Sequence, residues 1–159
     1  YESACSSSDD NQHDNEPEDP VVLVDFASVG VGLGVSDVAM HIHHAVLPED
    51  LKEGGEEALL RHYWESLNVQ LRTAQSLPSD SDDPYPWPVA LRQYRLAVVD
   101  YYRFFMARMW KGATPQFFAK QLPKPNVANI KRYPESAMAF IERVDAYLTE
   151  IEQEYENSQ

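Results

Sequence analysis

Only one stretch of this chain reads as a buried strand, and nearly everything after it is spaced for helices. Val21-Val22-Leu23-Val24 is a continuous apolar run, closed by Asp25-Phe26 and by the glycine-spaced Ser28-Val29-Gly30-Val31-Gly32-Leu33-Gly34. A short apolar run without polar alternation predicts a strand covered on both faces. It ends in a carboxylate carried into an open loop. That arrangement presents a rigid acidic ligand to a cation at the end of a strand.

From Ser36 onward the pattern is helical, with Ser36 as the expected N-cap and Asp37 just inside, where the macrodipole favours negative charge. Gly54-Gly55 breaks the next stretch. Leu60, Tyr63, Leu67, Leu71 and Ala74 then recur at spacings of three and four, predicting an amphipathic helix over about 56–76. The prolines at 78, 84, 86 and 88 and the polar run between them predict a loop, with Pro88 opening the following helix. That helix, about 88–110, has two apolar faces: Leu91, Val98, Tyr102, Phe105 and Met109, and Tyr94, Ala97, Tyr101 and Phe104. Two such faces predict the central helix of a bundle. Gly112 ends it, and Thr114-Pro115 caps a short helix that Pro123 and Pro125 close. A last helix over about 134–155 carries Met138, Ile141, Val144, Leu148 and Ile151, with a polar end from Glu150 that is expected to fray.

Composition narrows the function. With 43% apolar residues the chain can bury a core, and 159 residues make one domain. A net charge of −13, with only 13 Lys and Arg, argues against nucleic acid as a partner and favours a cationic over an anionic small molecule. No apolar run approaches the ~20 residues of a membrane span. One cysteine excludes an internal disulfide and fits the cytoplasm. Residues 1–19 hold a serine run, a run of Asp and Glu and no Lys or Arg, too little apolar surface to fold upon; they read as an acidic, flexible loop.

The segment Val21–Phe26, its loop and Asp37-Val38-Ala39 resemble the metal-binding segment of the aminoglycoside phosphotransferase and choline-kinase-like family. There a strand ends in Asp-Phe or Asp-Trp, a loop follows, and a helix opens with Asp-Leu-Ala or Asp-Val-Ala. The resemblance implies a mainly α chain: the helical C-terminal lobe of a protein-kinase-like fold over 20–155, with a short strand or hairpin near its start and a frayed tail at 156–159. It implies that Asp25 holds the magnesium of Mg-ATP, that Asp37 braces the catalytic loop, and that the substrate is a small-molecule alcohol, choline-like or aminoglycoside-like. The family's His-Gly-Asp, four residues, Asn pattern is absent from these residues, so the catalytic Asp is expected upstream of Tyr1 and the chain is expected to be a fragment, inactive alone. In that register Cys5 stands where the family has Asn, and a thiol is a poor magnesium ligand. Asn11 would serve only in a shifted alignment. The competing expectation is a catalytically inactive, kinase-derived binding module.

Other patterns carry less. Gly30-x-Gly32-x-Gly34 has the wrong spacing for a dinucleotide fingerprint and no second parallel strand to serve. His41, His43 and His44 invite a metal reading, but no Glu–His pair completes a zinc motif, and ordinary helix histidines are expected. On this reading Asp25→Ala abolishes the activity of a full-length version, while His43→Ala scarcely affects that activity. Tyr101 to Trp110 is expected in the core rather than as a quaternary-ammonium cage, leaving Trp64, Tyr85 and Trp87 for a substrate wall. Cys5 has no base partner that would make it a nucleophile.

Overall fold

The two-faced helix is the centre of the packing among the described residues. The computed structural model describes residues 32–78 and 81–158, and among these the secondary structure is entirely helical. The expected strand at 21–26, the acidic segment 1–19, Cys5, Asn11 and Asp25 lie outside the described residues. Helix α4 (Trp87–Phe104) packs against α1 (Val35–Ala45), α3 (Gly55–Gln75) and α7 (Pro134–Glu156). It buries Ala90, Tyr94, Ala97 and Val98. Small residues at 90 and 97 let the neighbouring helices approach, while Tyr94 and Val98 fill the space between them.

Helix α4 does not run straight to Gly112. After Phe104 it widens into a π turn over Phe105–Met109, closed by the Trp110 amide donating to the Phe105 carbonyl at 2.9 Å. The extra residue in this turn re-aims the side chains that follow it. Phe105 is buried, and Trp110 donates its indole N–H to the Ile130 carbonyl at 3.1 Å. Phe105, Trp110, Tyr102 and Phe140 then meet edge-on, with centroids 5.5–6.4 Å apart. The aromatic row therefore serves packing, although Phe104 stays exposed.

Gly112, at φ 80°, leaves the π turn in a conformation that suits glycine. Thr114 then caps α5 (Pro115–Gln121), accepting from the Phe117 amide at 3.2 Å, as its sequence predicts. Two short helices have no strong periodic signal: α2 (Pro48–Leu51) and α6 (Asn129–Arg132). Each is one turn long, too short for an apolar repeat to register.

Three expectations shift. Helix α1 begins at Val35, with Gly34 at the cap position and no side-chain cap, so Ser36 is not the N-cap. Val35 is drawn into the core, and the Ser36 amide donates to the Leu33 carbonyl at 2.9 Å, closing the turn one residue early. Ser36 itself is exposed, while Asp37 sits in the first turn as expected. In α7 the buried stripe is Ala137, Phe140, Val144 and Tyr147, with Met138 and Leu148 exposed. Its polar end does not fray at Glu150: Arg95 of α4 holds Glu150 and Glu154, each at 2.8 Å, and the helix continues to Glu156.

Candidate functional site

Glu56 is the most heavily engaged polar side chain among the described residues. It lies in the first turn of α3, after Gly54 at φ 90° has turned the chain out of α2. A carboxylate there is favoured by the helix dipole, but this one points inward and is 3% exposed. Its Oε1 accepts from the Tyr94 hydroxyl at 2.8 Å and the Tyr147 hydroxyl at 3.0 Å, with His43 Nε2 3.4 Å away. Arg143 Nε lies 2.7 Å from Oε2. One carboxylate thus joins side chains from α1, α4 and α7 to α3.

The electrostatics follow from that crowding. Burial alone would raise the Glu56 carboxyl, but the hydrogen bond and charge of His43, then Arg143 and Tyr94, outweigh it and hold the group below the usual range. Burial, reinforced by the Glu56 charge, pushes the Tyr94 and Tyr147 hydroxyls far up, so both remain donors. The cluster is well paired at Oε1, whereas the buried Glu56 Oε2 and His43 Nε2 lie near their neighbours without completing a hydrogen bond among the described residues. Sequence reading passes over it because Glu56 resembles an ordinary dipole-compensating acid. The available signal is its register: positions 56, 60, 63 and 67 form one helical stripe, so a Glu stands in line with Leu60, Tyr63 and Leu67.

Beside this cluster is a pocket of about 260 Å³. Its wall is one face of α7, with Ser136, Ala139, Phe140 and Arg143 at helical spacing, closed by the end of α1 and by Leu51 and Lys52. A shallower groove of about 560 Å³ continues from it past Ser136 toward Glu49, Tyr133 and Glu135.

The histidines separate into three environments. His41 is exposed, His43 is buried against Glu56 with its ring 4.6 Å from that of Phe140, and His44 is half-buried against the Tyr101 hydroxyl. Burial, then the positive charges of Lys131, His41 and His43, hold the His44 imidazole below its ordinary range. Removing His43 would open a cavity beside Phe140 and strip a neighbour from Glu56, so His43 serves the packing of the fold. Among the described residues no group of three His, Cys, Asp or Glu side chains is placed to hold a metal ion.

Asp37 is exposed on the first turn of α1, near Tyr63; burial and then the Asp37 charge push the Tyr63 hydroxyl up. Ser36, beside it, makes no side-chain cap. Trp64, Tyr85 and Trp87 come together, but as a packed unit. The Trp64 indole donates to the Tyr85 carbonyl at 2.6 Å and meets Trp87 edge-on at 5.5 Å, while Arg61 covers Trp87 at 4.1 Å. Among the described residues no helix is long and apolar enough to cross a membrane.

Comparison of the chain with protein-family models, with curated proteins and with solved structures finds no match. The functional reading therefore rests on the residues themselves.

Proposed function

We propose that these residues belong to the helical lobe of an ATP-dependent phosphotransferase of protein-kinase-like fold, acting on the hydroxyl group of a small molecule. The observation that carries this reading is the order of features from Val21 to Ala39: apolar run, Asp25-Phe26, glycine-spaced loop, then a helix with Asp37 in its first turn. Phosphoryl transfer requires little covalent chemistry from the protein; it requires charge placed around the phosphates. Asp25, an oxygen donor of the type magnesium prefers, would hold the metal of Mg-ATP. When bound, that metal neutralises phosphate charge. Asp37, exposed in the first turn of α1, would be the residue that braces the catalytic loop in this reading.

The family's catalytic Asp is not found within the 159 residues, and this reading assigns it to sequence outside them. A second reading, a kinase-derived binding module without turnover, is favoured by Cys5 at the position where the family pattern has Asn.

The test is the melting temperature of the chain with and without millimolar Mg-ATP. Ligand linkage raises it if the phosphate site forms, and Asp25→Ala removes the rise. An unchanged melting temperature in the parent chain discards a nucleotide site in these residues. An equal rise in parent and Asp25→Ala would show that the metal ligand lies elsewhere.

A further inference from the structure

The pocket beside Glu56 combines an apolar wall with hydrogen-bond donors that the fold leaves unused. Leu51, Ala139 and Phe140 supply apolar surface. Ser136 is 4% exposed and lines both the pocket and the adjoining groove, yet its hydroxyl makes no hydrogen bond among the described residues. Arg143 spends Nε on Glu56, and its terminal nitrogens have no ion-pair partner among the described residues. Lys52, at the mouth, likewise has none.

These donors share a geometry. Ser136 and Arg143 lie on one face of α7, two turns apart, with Ala139 and Phe140 between them. Ser136 is in the first turn of a 23-residue helix, where unpaired backbone N–H groups and the macrodipole favour negative charge. The acidic neighbours do not cancel this. Glu56 is already engaged by Arg143 and two tyrosines, and Glu142, with Glu135 and Glu49 of the adjoining groove, is exposed to solvent that screens it. The chain's overall negative charge is screened beyond about 8 Å at physiological ionic strength, so the nearby donors decide.

We propose that this pocket is a binding site for a small amphiphilic monocarboxylate, its carboxylate met by Arg143, Lys52 and Ser136 and its apolar body laid along Leu51, Ala139 and Phe140. The site is independent of the phosphotransferase reading. A guanidinium and an ammonium meeting one carboxylate give charge-assisted hydrogen bonds, while the apolar wall adds affinity in proportion to the surface covered.

The test is calorimetric titration of the full chain with octanoate, with octan-1-ol and octylammonium as comparators. Saturable binding of octanoate with a Kd below about 1 mM is expected, with both comparators at least about tenfold weaker. Lys52→Glu should weaken octanoate about tenfold, and Ala139→Trp, which fills the pocket, should abolish its binding. Lys52 is exposed, so its variant keeps the test decisive even if Ala139→Trp does not fold. Absence of saturable octanoate binding up to about 10 mM overturns the proposal. So does octylammonium or octanol binding as tightly as octanoate, or octanoate binding unchanged by Lys52→Glu.

Discussion

The Tyr94 hydroxyl donates to Glu56 Oε1 over 2.8 Å, joining the middle of α4 to the start of α3 across 38 residues of sequence. Because Tyr147 and Arg143 converge on the same carboxylate, removing Glu56 strands several buried polar groups at once. Glu56→Ala should cost about 3–5 kcal/mol, whereas Tyr94→Phe, which leaves the carboxylate its other partners, should cost about 1–2 kcal/mol. Urea unfolding of the two variants and their double mutant measures the coupling. Purely additive losses would mean that the cluster does not act as a unit.

The same carboxylate makes the fold sensitive to acid. Held below its unfolded value near 4.5, Glu56 binds fewer protons when folded than when unfolded. Its contribution is therefore complete above about 4.5 and is lost as pH falls through the lower folded value. His44, also held low, begins to act earlier: below 6.5 the unfolded chain takes up the proton more readily, so stability starts to decline there. Urea midpoints between pH 7 and 3 should fall in two stages. Glu56→Gln should flatten the lower stage and leave the upper one.

The helices were legible because their apolar positions repeat; their rotation was less so. In α7, Met138 and Leu148 continue an apolar series with Val144, but the molecule buries Ala137, Phe140, Val144 and Tyr147 instead. Both series have helical spacing, and the choice between them depends on which neighbours need filling. Phe140 packs with Tyr102, Phe105 and Trp110, and Tyr147 reaches Glu56. Those partners are distant in sequence, so no local pattern announces them. For Glu56 the register with Leu60, Tyr63 and Leu67 marks an inward-facing acid, but its partners on α1, α4 and α7 are equally distant in sequence. Asp37 was legible as a first-turn acid, whereas Ser36 was misplaced because burial of Val35 moved the start of α1.

Asn68 governs the loop that leads into α4. It is buried on α3, accepts the Tyr85 amide at 2.9 Å, and donates to the Tyr85 carbonyl at 3.0 Å. This pairing on both backbone groups of one residue fixes Tyr85 and, through it, the Trp64 indole. Asn68→Ala should cost about 1–3 kcal/mol and speed hydrogen exchange at the Tyr85 amide. Asn68→Asp keeps the acceptor but sets a buried carboxylate oxygen against the Tyr85 and Trp64 carbonyls, so it should cost at least as much as Asn68→Ala. Unchanged exchange at Tyr85 in Asn68→Ala would show that the prolines alone hold the loop.

Gly55 sets propensity against space. It is the first residue of α3, and intrinsic helix preference favours alanine over glycine by about 1 kcal/mol in a helix interior. A Cβ at Gly55 would lie 1.9 Å from the Asp50 carbonyl oxygen, a backbone atom that cannot yield without unwinding the end of α2. Gly55→Ala should therefore destabilise by at least about 1–3 kcal/mol, the size of an overpacking strain. Gly112 gives the contrast: an added Cβ meets open space, and the penalty comes only from φ 80°. Gly112→Ala should cost about 1–2 kcal/mol. Thermal melts of both variants decide the matter, because a stabilised Gly55→Ala would mean that α2 and α3 are not joined by the tight turn that carries Glu56 inward.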